Sequence, residues 1–355
     1  MKVLLLGDFS ALHKNLQEGL QELGHEVVLA STGDGWKAVE RDIDLSMHRK
    51  GTIGKVLNRL DFYKKISAFS GFDVVQIINA GFFPQKIFPL KFVFDGLKRK
   101  NGKIFLLAAG DDSFFWRYGR KRLKYGPFND FLKYDLKATT DPSEKYNYFK
   151  KNKYIADSVN GIIPIMYEYE KSYEGHLNLL QAIPIPINIS KIDYRPNVVK
   201  QKIVIFHGLN RYGFKGTRFV EEAFSILRAR YTNDLELIID GKMSLSKYLD
   251  LMSRTNIVID QVWSHSCGVN AIYALAMGKI VLGGAEPESL KSLGLVSSPV
   301  INIKPDVNNI VSIIEGLLEQ RESFEELGFA SRLFAEKVHS HIKIAEKYLS
   351  AWGNA

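Results

Sequence analysis

The chain has 355 residues, 46% of them hydrophobic and 25% charged, with a formal net charge of +9. This is ordinary globular composition, and the length favours two domains over one. A single cysteine, Cys267, excludes an internal disulfide and a multi-cysteine zinc site, so a reducing cytoplasm is the expected compartment.

KVLLLGD reads as a buried strand ending at Gly7-Asp8, which break the N-terminal apolar run too early for a signal peptide. Leu12, Leu16, Leu20 and Leu23 then recur at helical spacing up to Gly24, and HEVVLAS forms a second strand before the loop TGDGW. This is one βαβ unit, implying a parallel sheet with a right-handed crossover. FDVVQIIN (72–79), an apolar helix around 86–99, KIFLLAAG (103–110) and NGIIPIM (160–166) continue the alternation. The three prolines of IPIPINISKIDYRPN (183–197) mark the best linker.

The alternation restarts with KIVIFHG (202–208), a helix from Thr217 to about Arg230, LELIIDG (235–241), a helix over 245–254 and NIVIDQ (256–261). HSCGVNAIYALAMGK (265–279) carries a helix starting at Gly268, followed by strands KIVLGG (279–284) and PVINI (299–303) and two helices through the C-terminus. No stretch of 18 uninterrupted apolar residues occurs. The expected architecture is two open α/β domains of similar size facing across a cleft, with ligands beyond the carboxyl ends of the strands.

Most of the positive excess lies in residues 1–190, consistent with an anionic partner, but no nucleic-acid module accompanies it. No GxGxxG follows a strand, and GFKGT (213–217) lacks the P-loop spacing. HExxH is absent from a chain with eight histidines, and His339-Ser340-His341 reads as a solvated pair in a helical tail. Asp42-Ile43-Asp44 has the D-x-D form that holds a cation on a nucleotide diphosphate, but it follows VER and reads as a polar loop. No metal is expected.

The strongest constellation lies in the second half. HGLNRYGFKGT (207–217) follows a strand and opens a helix, placing Arg211 and Lys215 beside the glycine-rich turn that begins at Gly208. Two strand-to-helix junctions at one sheet edge would bring Arg211, Lys215 and the amides after Gly268 around one point. Two cations and free N–H donors suit a diphosphate. Taken singly, Arg211 and Lys215 read as surface charges, and Gly268-Val269-Asn270 as a turn capped by Asn270. Cys267 reads as a packing residue, with only His265 nearby to activate it.

The order strand, glycine turn, Arg211…Lys215-Gly216-Thr217, helix, then strand and Gly-x-x-x-x-x-Ala-x-Ala-x-Gly-Lys (268–279), resembles the C-terminal domain of GT-B-fold glycosyltransferases of the family 1/4-like type. LLLGDFSALHKNLQEGLQELGHEVVLAS is similar to the family's opening strand and helix, so the resemblance covers nearly the whole chain. It implies an α/β fold of two Rossmann-like domains: an acceptor-side domain over 1–188, a donor domain over 189–335, and a C-terminal helix, 336–355, returning to the first domain.

The implied activity is metal-independent hexosyl transfer from a nucleoside-diphosphate sugar, as co-substrate and with no further cofactor, to a saccharide or lipid-linked acceptor in surface polysaccharide or glycolipid synthesis. The resemblance places Gly208, Arg211, Lys215, His265, Ser266, Gly268, Val269, Asn270 and Tyr273 around the donor, with Arg211 and Lys215 stabilising the departing diphosphate. The family often carries a glutamate pair eight residues apart, one near the sugar and one on the ribose; here His265 and Tyr273 stand at those positions.

Asp8, Ser10, His13 and Trp36 fall on the acceptor side, where Trp36 would stack on a sugar ring or plug the sheet edge, and His13 would serve the site or pack in its helix. In GDD (110–112), Asp111 is the expected base and Asp112 a second carboxylate or a helix cap. FFWRYGRKRLKYG (114–126) interleaves aromatic and basic residues, as contact with anionic lipid or a solvated face would require. The expected location is the cytoplasm or the inner face of its membrane. Two alternatives are a nucleotide-sugar epimerase of GT-B type and a non-catalytic nucleotide-sugar-binding protein.

Overall fold

A computed structural model describes residues 1–34, 38–83, 90–241 and 243–355. The chain divides into two compact units, one made of Met1–Lys121, Pro142–Asn188 and His341–Ala355, the other of Arg122–Asp141 and Ile189–Ser340.

The first unit is built on β1 (Lys2–Leu6), β2 (Glu26–Ser31), β3 (Ile43–Asp44), β4 (Val74–Ile77), β5 (Lys103–Ala108) and β6 (Gly161–Pro164). They pair in parallel in the order β3-β2-β1-β4-β5-β6. Val3–Leu6 are fully buried, as in a sheet covered on both faces. The helix Leu12–Glu22 turns Leu12, Leu16 and Leu20 inward. Because the chain leaves β1 towards β2 and later returns to β4 on its other side, the loops after β1 and β4 diverge there. Gly7 takes φ +80° at this point, and a Cβ on it would lie 2.6 Å from Ile78 Cγ2.

The second unit holds β7 (Ile203–Gly208), β8 (Leu235–Asp240), β9 (Ile257–Ile259), β10 (Ile280–Gly283) and β11 (Ile301–Asn302), all parallel, in the order β11-β10-β9-β7-β8. Val220, Ala223, Phe224 and Leu227 of helix Thr217–Arg230 share a core with Ile310, Ile314 and Leu317 of helix Val307–Glu319. The loops diverge between β7 and β9.

Three sequence expectations change, and one further helix appears. The C-terminal stretch forms three helices, Val307–Glu319, Phe324–Val338 and His341–Asn354, the last of which packs on Leu12–Glu22 within the first unit. His339 and His341 are buried rather than solvated, and His341 Nε2 lies 2.8 Å from Glu22 Oε1. Ile43 and Asp44 of the Asp42-Ile43-Asp44 triplet form the edge strand β3 instead of a loop, with Asp42 in the bend before it. Both carboxylates are engaged there: Asp42 accepts from Leu29 N and Gln17 Nε2 at 2.7 and 2.6 Å, and Asp44 from Arg41 Nε at 2.9 Å. Residues 45–71, given no element from the sequence, contain the helix Gly51–Ala68.

Candidate functional site

In the second sheet the divergence falls between β7 and β9, so residues 209–216 and 260–268 flank the crevice where open parallel sheets bind ligands. His207, the penultimate residue of β7, is buried, and burial pushes its pKa down to about 4. The neutral ring donates from Nδ1 to the Ile259 carbonyl at 2.9 Å and accepts at Nε2 from the Thr217 hydroxyl at 3.0 Å. It thereby ties β7 to β9 and to the helix that follows.

The short helix Tyr212–Lys215 turns the Lys215 side chain inward, where Nζ lies 3.3 Å from Asp260 Oδ1. Asp260 Oδ2 accepts from the Gly268 amide at 2.9 Å. One buried carboxylate thus joins the lysine to the start of helix Val269–Ala276. Gly268 is the N-cap in extended conformation, and Asn270 is exposed and does not cap. The amides of Val269, Asn270 and Ala271, in the first turn, have no intrahelical acceptor. Tyr273 and Cys267 are half-buried, while Ser266 bonds through its hydroxyl to that of Ser289 at 2.8 Å.

Arg211 packs against two rings that meet edge to face, its guanidinium carbon 3.7 Å from the centroid of Phe214 and 4.5 Å from that of Phe131. Phe131 comes from residues 122–141, a segment that belongs to this unit although it precedes the linker by some fifty residues in sequence. Asp130 Oδ2 accepts from Arg218 Nε at 2.7 Å and from Trp263 Nε1 at 2.8 Å, and Asp135 Oδ2 from the Phe214 amide at 3.0 Å. Backbone approach is so close that a Cβ on Gly213 would lie 2.2 Å from the Asp130 carbonyl.

Tyr125, in the same segment, stacks on His265 with ring centroids 4.1 Å apart and donates its hydroxyl to Glu286 Oε1 at 2.8 Å. The Glu286 amide donates to the His265 carbonyl at 3.0 Å. Partial burial would raise the Glu286 pKa. Hydrogen bonds from Asn302 and Tyr125, with the charge of Lys304, outweigh burial and hold it below its ordinary range.

The first unit gathers its candidates at its own divergence point. Asp8 is buried, with Oδ1 accepting from the His13 amide at 3.0 Å and Oδ2 without a hydrogen-bond partner among the described residues. Burial, with a smaller contribution from Asp34, pushes its pKa up to about 6. Ser10 and Ala11 follow at φ +52° and +60°, a left-handed pair of non-glycine residues braced by a 2.8 Å bond from the Ser10 amide to Asp34. His13 is fully buried and its pKa is pushed down to about 4 by that burial. Its ring donates to the Gly7 carbonyl at 2.7 Å and accepts from Gln76 Nε2 at 3.1 Å, which makes it a packing residue.

Asp112 caps the turn that follows β5, accepting from the Phe115 amide at 2.8 Å and from the Tyr173 hydroxyl. Asp111 is half-buried beside it. Phe114, Phe115 and Trp116 lie in the core, so within 114–126 only basic residues such as Arg120, Lys121 and Lys124 face solvent. Trp36 lies outside the described residues.

The site residues not anticipated from the sequence are Asp260, Tyr125, Asp130, Phe131 and Glu286. Asp260 had a legible signal, a carboxylate closing an apolar strand. The others reach the site through long-range packing that no local pattern records.

No protein-family model and no curated protein matches the chain. Solved structures do. The Anabaena protein HepE in complex with UDP and glucose matches over 100% of both chains, with a TM-score of 0.64 and 11% identity. Sucrose-phosphate synthase from Thermosynechococcus elongatus matches over 100% of this chain and 99% of its own, with a TM-score of 0.64 and 13% identity. UDP-GlcNAc 2-epimerase from Neisseria meningitidis, bound to UDP-GlcNAc, matches over 100% of both chains, with a TM-score of 0.55 and 10% identity. Likeness of this kind establishes architecture, and with its two parallel α/β sheets the chain has the GT-B fold of glycosyltransferases.

Proposed function

We propose that the protein transfers a hexosyl group from a nucleoside-diphosphate sugar to a saccharide or lipid-linked acceptor, in surface polysaccharide or glycolipid synthesis. The observation that carries this reading is the convergence of Lys215 with the start of helix Val269–Ala276 at the divergence point of the second sheet. Arg211, four residues upstream of Lys215, adds a second cation. Departure of the nucleoside diphosphate breaks the bond from the anomeric carbon to phosphate oxygen and leaves negative charge on that oxygen. Lys215, Arg211 and the amides of Val269 and Asn270 would receive that charge in place of a metal ion. HepE and the epimerase, crystallised with UDP and UDP-GlcNAc respectively, support a uridine nucleotide as donor.

Within this reading Tyr273 faces the ribose and His265 the sugar. Glu286, hydrogen-bonded to the Tyr125 that stacks on His265, brings a carboxylate beside that imidazole. The acceptor hydroxyl forms the new bond to the anomeric carbon and gives its proton to a base. The sequence points to Asp111 for this step, and its half-buried carboxyl remains within reach of solvent, whereas the free oxygen of Asp8 is enclosed.

The test is a product assay with a panel of UDP- and GDP-sugars, with and without saccharide and polyprenyl-phosphate acceptors, in the presence of chelator. Acceptor-dependent release of UDP or GDP that survives chelator supports the reading. Loss of activity in chelator would contradict metal independence. The full-length likeness to an epimerase favours a second reading, in which the sugar is altered with no acceptor present. Binding without turnover of any donor would leave a nucleotide-sugar-binding protein.

A further inference from the structure

The helix Gly51–Ala68 buries Asn58, Phe62, Tyr63 and Ile66. Ile53, Val56, Leu57 and Leu60 stand at i, i+3, i+4 and i+7, the spacing that forms one stripe along a helix and ordinarily faces a core. Here the stripe lies on the opposite side from the buried residues, with Ile53 78% exposed and Val56, Leu57 and Leu60 each about 40%. The helix Leu90–Lys100 packs against it and carries Phe92, 69% exposed, and Met47 just upstream is also exposed.

The segment that carries the stripe is basic: Lys64 shares the stripe's side and Lys50 stands at the start of the helix, while Lys55 and Arg59 lie towards the side of the buried residues. Residues 47–68 include Arg49, Lys50, Lys55, Arg59, Lys64 and Lys65, against the single acid Asp61, which Arg49 pairs at 2.6 Å. Lys50, Lys55, Arg59 and Lys64 form no ion pair among the described residues. No helix among the described residues is long and apolar enough to cross a membrane. Two-fold pairing of this face with a second copy would set like charges against each other. Nucleic acid would have no use for an apolar centre. A bilayer with anionic headgroups meets both demands: acyl chains for the stripe and phosphates for the lysines and arginines.

We propose that helix Gly51–Ala68 docks the protein on an anionic lipid bilayer, with Ile53, Val56, Leu57 and Leu60 in the headgroup–acyl boundary. The surface is separate from residues 114–126, where Phe114, Phe115 and Trp116 are spent on the core. It does not depend on the proposed transfer reaction.

The test is sedimentation of the full chain with vesicles of phosphatidylcholine alone and with phosphatidylglycerol added. The chain is expected to bind only the anionic vesicles. Ile53→Ser/Leu57→Ser should weaken that binding at least tenfold with Tm unchanged, because both side chains already meet solvent. Lys50→Glu/Lys64→Glu should weaken it as well, whereas Arg120→Glu/Lys121→Glu should leave it within about twofold. Failure of the wild type to sediment with anionic vesicles would overturn the proposal, as would undiminished binding by the Ile53→Ser/Leu57→Ser variant. A dimer seen by light scattering without lipid, and lost in that variant, would assign the face to a second copy instead.

Discussion

Asp260 receives both the Lys215 ammonium and the Gly268 amide, so a single carboxylate decides how the anion seat is assembled. The pair is buried, and such pairs stabilise little overall but are costly to break from one side. Lys215→Met should therefore lower stability by about 3–5 kcal/mol, since it strands the Asp260 charge. Lys215→Met/Asp260→Asn should recover most of that loss in urea denaturation while failing to bind UDP. Equal stability of the single and double variants would mean that the ion pair has no such role.

Asp8 behaves oppositely. Its carboxyl ionises near pH 6 when folded and near 3.8 when unfolded, so the folded state keeps the proton longer. Stability falls as pH rises from about 4 to about 6, and the penalty is fully present above that range. Asp8→Asn should thus match the wild type at pH 3.5 and exceed it at pH 8, by at most about 3 kcal/mol. A stability gain independent of pH would contradict a raised pKa. Lys215 and Arg211 were legible as charges in a glycine-rich turn and Asp260 as a carboxylate closing a strand, but their pairing with one another and with Phe131 and Phe214 was not, because a partner depends on packing.

At the scale of elements, periodicity was enough for most strands and helices: Thr217–Arg230 and Leu245–Arg254 fall where their sequence patterns place them. The helix Gly51–Ala68 escaped because its apolar stripe and its buried face are different faces. Residues 122–141 escaped for another reason. They fold as short helical turns whose place is set by contacts with Arg218, Trp263 and His265 in the second unit. If this segment holds Arg211 in position, Phe131→Leu should keep most of the stability, since volume is largely conserved, and weaken UDP binding roughly three- to tenfold. Unchanged affinity in calorimetry would show that the ring only packs.

At the scale of the molecule, the two parallel sheets were legible from alternating apolar runs and helical stretches, and the paired motifs in the second half pointed to the GT-B fold. Strand order was not, since it depends on the crossover chosen at β1 and at β7. That order puts Asp8 at one divergence point and Lys215 with Asp260 at the other. The central claim is that the second sheet's divergence point binds a nucleoside diphosphate. Calorimetric titration of UDP and GDP into the wild type and Arg211→Met tests it most directly, because methionine keeps an apolar chain against Phe131 and Phe214 without the charge. The account predicts binding by the wild type, at least tenfold weaker in the variant, with Tm within about 2 °C of the wild type. No binding of either nucleotide by the wild type, or equal binding by Arg211→Met, would contradict it.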